Sequence, residues 1–79
     1  MLSGERVIAG LGGAGNVTEL FACAATRVRV AVKEQAKVSA DALEKAGVLA
    51  VVPIREKLLH LIVGPQAEAL SVDLKRQIG

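Results

Sequence analysis

Thr26-Arg27-Val28-Arg29-Val30-Ala31-Val32 is the stretch on which the fold turns. Val28, Val30 and Val32 fall on one side of an extended chain, and Arg27, Arg29 and Ala31 fall on the other. That period of two is the mark of a half-buried β-strand. Its valines are expected to line a core and its arginines to stand on an open face. Just before it lies Cys23, the only cysteine in the chain. A lone thiol cannot close an internal disulfide, and with a single histidine in the chain it cannot complete a metal site.

Working outward from this strand, the remaining elements follow from caps, stops and periodicity. Ser3 is placed to cap a helix over about 4–11, with Val7, Ile8 and Leu11 on one face and Gly12-Gly13 as its stop. Ala14-Gly15-Asn16 reads as a turn. Val17 to Phe21 alternates poorly and is a weak strand, with Cys23 then expected in the loop between the first two strands. Lys33 to Lys37 is a polar connection. Ser39 caps a second helix that carries Leu43 and Ala46, with Asp41 in its first turn and Gly47 at its end. Val48 to Val52 is an apolar strand ended by Pro53, Arg55-Glu56-Lys57 is a turn, and Leu58 to Val63 returns as a strand. Gly64 breaks that strand. Pro65 suits the first turn of a last helix, along which Ala67, Leu70, Leu74 and Ile78 keep helical spacing.

The order is helix, strand, strand, helix, strand, strand, helix. Short links favour antiparallel hairpins, so the expected fold is α+β, a four-stranded antiparallel sheet covered on one face by three helices. Residues 1–79 read as a single domain. A domain of this size buries only about 60% of its unfolded surface. Phe21 is the only aromatic residue, so the core must be aliphatic. A pocket lined with aromatic rings is excluded, as is the base stacking on which most single-strand nucleic-acid binders depend. The formal net charge of +2 is too small and too dispersed for a nucleic-acid surface. The N-terminal Met1-Leu2-Ser3-Gly4-Glu5 lacks the layout of a signal peptide. The apolar runs are far short of the ~20 residues that span a bilayer. With no internal disulfide possible, the chain fits a reducing, cytoplasmic setting.

Chemistry concentrates around Cys23. Nearby cations favour the thiolate, which is the nucleophilic form. Arg27 and Arg29, two apart on one strand face, offer bidentate donors suited to a phosphate, with the Thr26 hydroxyl close by. A thiolate within reach of a bound phosphoryl group can attack phosphorus and split the transfer into two steps. Against this stand plainer readings: an isolated cysteine is more often a small buried hydrophobe, and alternating arginines are more often a solvated face. His60, between Leu59 and Leu61, reads as an ordinary strand histidine, because it is distant in sequence from Cys23. Gly12, Gly13 and Gly15 read as a helix stop and turn, since they follow a helix instead of leading into one. Phe21 reads as a cap on the small core.

The chain resembles the IIB domains of the sugar phosphotransferase system, in their glucose family. That family's pattern runs G-G-x-x-N-I, then C-x-T-R-L-R, then K-V, then I-F-G-x-x-[AS]. Here it stands as Gly12-Gly13-Ala14-Gly15-Asn16-Val17, then Cys23 with Thr26-Arg27-Val28-Arg29, then Lys37-Val38, then Ile62-Val63-Gly64-Pro65-Gln66-Ala67. The resemblance implies that Cys23 takes a phosphoryl group from a histidine of a IIA domain and passes it to a sugar held by the membrane IIC transporter. It implies that Arg27 and Arg29 hold the phosphoryl group and contact partners, and that Thr26 supports the loop. No cofactor, metal or nucleic acid enters this reading, and the expected location is the cytoplasm, at the inner face of the membrane. The chain departs from the pattern in two places. Ala24 and Ala25 both separate Cys23 from Thr26, where the family has one residue, and Phe21 stands where the family often has an acidic one. An extra residue inside a strand reverses its faces, whereas a loop absorbs it. From that extra residue and Phe21 comes an alternative reading, a binding or regulatory module that keeps the IIB fold without carrying phosphate. A thiol sensor is a third.

Overall fold

The computed structural model describes residues 2–79, so the part of the N-terminal reading that concerns Met1 lies outside the described residues. The valine–arginine alternation becomes strand β2 (Arg27–Val32), in which Val28, Val30 and Val32 are buried while Arg27, Arg29 and Ala31 are half-buried. Around it lie α1 (Gly4–Gly10), β1 (Val17–Ala24), α2 (Ala40–Lys45), β3 (Ala50–Arg55), β4 (Leu58–Ile62) and α3 (Ala67–Ile78). The four strands form one antiparallel sheet in the order β1-β2-β4-β3. This is the expected α+β architecture, with short 3₁₀ turns at residues 14–16, 35–37 and 64–66.

The two N-terminal caps form as their residue types require. The Ser3 hydroxyl accepts from the Arg6 N–H at 3.4 Å, and the Ser39 hydroxyl accepts from the Ala42 N–H at 3.1 Å. Each satisfies an amide that a helix start leaves without a partner. Gly12 and Gly13 end α1 at φ 97° and 96°, a region that favours glycine. The helices deliver Val7, Leu11, Leu43, Leu70 and Leu74 onto Val28, Val30, Leu59 and Leu61 of the sheet. Each leucine or valine taken fully out of water contributes about 1.5–3 kcal/mol, which makes this aliphatic layer the main stabilising element.

Several boundaries differ from the sequence expectation. Strand β1 runs on to Ala24, so Cys23 belongs to a strand and not to a loop. The poor alternation at its start has a cause: the register with β2 slips between Val17 and Glu19, and Thr18 is the extra residue of a β-bulge. Thr18 and Glu19 are therefore both exposed. Strand β3 includes Pro53 instead of ending at it. The strand lies at the sheet edge, where a missing N–H is tolerated, and its register slips between Pro53 and Arg55. Pro65 sits in a 3₁₀ turn, and α3 begins at Ala67. Among the described residues no helix is long and apolar enough to cross a membrane.

Candidate functional site

All three helices pack on one face of the sheet, leaving the other open. Residues directly opposite one another on neighbouring strands share a face. One row on the open face therefore reads Phe21 on β1, Arg29 on β2, His60 on β4 and Val52 on β3. The next row carries Ala24, Arg27, Ile62 and Ala50. Phe21 belongs to this open face, 36% exposed, and does not cap the core. The expectation failed because the bulge at Thr18 sets which members of β1 point inward: Leu20 is buried and Phe21 is not.

Cys23 lies between these rows. The pairs Ala22–Val28 and Ala24–Arg27 flank it, so β1 spends two residues where β2 spends one. Cys23 is thus the extra residue of a second bulge. The additional residue between the cysteine and Thr26 is taken up at this point, and the strand faces beyond it are not reversed. The link to β2 shortens to Ala25-Thr26. The Thr26 carbonyl accepts from the Val63 N–H at 2.9 Å and the Gly64 N–H at 3.1 Å, which ties this turn to the end of β4.

The sulfur is exposed and lies 3.9 Å from His60 Nε2. His60 sits on β4, two strands away from β1, with β2 between them. The reach is possible because Val28 turns into the core, leaving the surface above β2 clear between Arg27 and Arg29. Burial pushes the His60 imidazole below its ordinary value, and the Arg29 and Arg27 guanidiniums push it further the same way. The ring is therefore neutral at neutral pH. Its Nδ1 is buried and has no hydrogen-bond partner among the described residues. The structure thus brings Cys23, Arg27 and Arg29 onto one surface, with Thr26 in the adjoining turn. His60 was not legible as part of the site, because sequence distance hides a contact made across an intervening strand. Among the described residues no three His, Cys, Asp or Glu side chains gather as a metal site would require.

Beside the row lies a shallow depression lined by Glu19, Phe21, Arg29, Arg55, Lys57 and Leu58, among others. Its lining combines apolar groups with the Arg29, Arg55 and Lys57 cations and the Glu19 and Glu56 carboxylates. Guanidiniums such as those of Arg27 and Arg29 on this face are donors whose planar fork matches phosphate oxygens.

Comparison with known proteins places the chain. The family model for the phosphotransferase system EIIB component matches residues 5–38, a span that contains Cys23, Arg27 and Arg29. The N-acetylglucosamine-specific EIIB component of Streptomyces coelicolor is 32% identical over 71 residues, which cover 90% of this chain and 90% of that protein. The chain belongs to the EIIB family of the phosphotransferase system. Other EIIB-containing relatives are much longer. The N-acetylglucosamine-specific EIICBA component of Klebsiella pneumoniae is 34% identical over 71 residues, covering 90% of this chain and 11% of its own length. The maltose-specific EIICB component of Escherichia coli is 31% identical over 68 residues, covering 86% of this chain and 13% of its own length. This EIIB chain thus spans about an eighth or less of those two relatives. The crystal structure of one domain of the IIabc component from Clostridium difficile superposes with a TM-score of 0.74 at 23% identity, over 96% of this chain and 78% of that one. That domain shares the fold found here.

Proposed function

We propose that residues 1–79 act as one phosphocarrier domain, in which Cys23 accepts a phosphoryl group from a histidine of a IIA partner and hands it to a sugar bound by a membrane IIC transporter. The observation that carries this reading is the exposed Cys23 sulfur on the open sheet face, at a bulge that sets it among Arg27, Arg29 and His60. Relatives whose names join C, B and A components in one chain support the choice of partners.

The chemistry balances as two displacements. The Cys23 thiolate attacks phosphorus, the S–P bond forms, and the N–P bond to the donor histidine breaks. The departing imidazole keeps the electron pair and takes up a proton. A sugar hydroxyl oxygen then attacks the same phosphorus. The S–P bond breaks, the thiolate returns, and the hydroxyl proton passes to a base. Phosphoryl transfer needs positioning and charge neutralisation above all. Arg27 and Arg29 supply both, by gripping the phosphoryl oxygens in each half of the cycle. Thr26 acts through its backbone, holding the turn that follows Cys23 against the end of β4. Phe21 and Val52 extend the row on either side and give partner proteins an apolar contact around the charged centre. On this reading the domain works in the cytoplasm, at the inner face of the membrane beside its transporter.

The test is incubation of the protein with a phosphorylated IIA donor, followed by intact-mass and peptide mapping. One phosphoryl group on Cys23 is the expected result, absent from Cys23→Ser. A folded wild-type protein that stays unmodified while a related EIIB domain is labelled would overturn the reading. Sugar uptake undiminished by Cys23→Ser would favour a regulatory module instead.

A further inference from the structure

The open face carries one group that phosphocysteine chemistry alone does not explain. His60 brings Nε2 to 3.9 Å from the Cys23 sulfur, while its Nδ1 is buried without a partner. We propose that His60 is a further catalytic residue of this site, whose Nε2–H donates to the sulfur between transfers and to a phosphoryl oxygen while Cys23 is loaded. The inference rests on the phosphocarrier reading above and assigns that site a fixed hydrogen-bond donor.

The tautomer follows from the surroundings. A doubly protonated ring would bury an Nδ1–H with no acceptor, close to two guanidiniums. A neutral ring protonated on Nδ1 would strand the same buried donor, and orphaned buried N–H groups are the rarest kind of unpaired polar group. The ring protonated on Nε2 strands only a lone pair, which positive charge nearby stabilises. It also aims its one donor at the sulfur. The groups that face His60 agree: β2 presents Arg27 and Arg29, β1 presents Cys23, and β3 opposes it with the apolar Val52. No carboxylate appears among them to draw a second proton onto the ring.

His60 keeps its proton through the cycle, so the two displacements balance as before. Its part is to add a donor where negative charge gathers. The same β4 position sets its reach: Leu59 and Leu61 are locked in the core on either side, which holds the backbone of His60 in place.

Two variants and one spectrum test this. His60→Leu removes the donor and keeps a side chain of similar bulk. Loss of a hydrogen bond to a charged group should slow the loading of Cys23 roughly 10- to 100-fold, read by time-resolved intact mass with a phosphorylated IIA donor. His60→Gln restores an N–H donor that does not titrate, and should return the rate to near wild type. In the wild-type protein, long-range ¹⁵N–¹H NMR should show the Nε2–H tautomer. Wild-type loading in a folded His60→Leu variant overturns the assignment, as does equal slowing in both variants or an Nδ1–H tautomer. If His60→Leu does not fold, the His60→Gln rate and the tautomer decide. No label on wild-type protein overturns the phosphocarrier reading and this one with it, whereas a labelled wild type beside an indifferent His60→Leu overturns this one alone.

Discussion

Asn16→Ala should be among the most damaging single changes outside the aliphatic core. Asn16 is 4% exposed, and all of its amide's bonds go to the backbone. Its Nδ2 donates to the Leu11 carbonyl at 2.7 Å and to the Glu34 carbonyl at 3.0 Å, and its Oδ1 accepts from the Glu34 N–H at 3.0 Å. One side chain thus staples the end of α1 to the connection between β2 and α2. Alanine removes these three bonds and leaves their backbone partners short. At about 1 kcal/mol net per bond, with the two Glu34 contacts discounted for partial exposure, the loss is about 2–3 kcal/mol. A chain of this length has a total stability of roughly 4–12 kcal/mol, so this is a substantial fraction. It corresponds to a Tm lowered by roughly 10–20 °C. Urea unfolding followed by circular dichroism reads it directly, as a lower midpoint at unchanged slope. Asn16→Asp should cost more, because it keeps the acceptor for Glu34 but sets an anion against two carbonyl oxygens. A midpoint within about 0.5 kcal/mol of wild type for Asn16→Ala would refute the reasoning, since that is the range of surface substitutions.

Other expectations follow from single features. Deleting Ala24 should remove the bulge and set Cys23 directly opposite Arg27 on the same open face; loading of Cys23 should stay within about tenfold of wild type, well short of the ~10²-fold cost of a misplacement near 1 Å. A folded deletion variant that cannot be loaded would show that the bulge itself is required. Gly12→Ala should destabilise more than Gly13→Ala. Both positions have positive φ, but a Cβ at Gly12 would lie 2.8 Å from Lys37 Cβ and 3.0 Å from the Lys37 carbonyl, while Gly13 faces open space; equal midpoints for the two in urea would contradict this. Because the His60 pKa is lowered from 6.5 in the folded protein, the unfolded chain binds more protons between the lowered value and 6.5. Stability should therefore fall as pH drops below 6.5, and the His60→Gln curve should lack that component; superimposable curves for the two proteins would count against it.

The sequence made the outline of the fold legible where one period ran unbroken. Val28, Val30 and Val32 marked β2, and the spacing of Leu70 and Leu74 marked α3. What escaped it was local irregularity and long-range adjacency. Bulges at Thr18 and Cys23 break the period of two, so β1 looked shorter than it is and Phe21 looked inward-facing. The small side chains of Ala22, Ala24 and Ala25 gave no alternation with which to extend the strand. Pro53 signals a strand end only where a neighbouring strand needs its N–H, and on an edge strand that side can be the free one. The site was partly visible, since Cys23, Thr26, Arg27 and Arg29 are contiguous along the chain. His60 was not, because β4 pairs with β2 and the ring then reaches the sulfur across that strand. Strand order is a property of the packed core, and no periodicity along the chain encodes it.

The central claim is that phosphorus bonds to one sulfur atom. ³¹P NMR of the protein after loading from a phosphorylated IIA donor addresses it most directly, because S–P and N–P bonds give distinct resonances. The account predicts a single thiophosphate signal that is absent in Cys23→Ser and disappears when a sugar-loaded IIC partner is added. An N–P signal that persists in Cys23→Ser and is lost in His60→Gln would contradict it, by placing the phosphate on the imidazole 3.9 Å away.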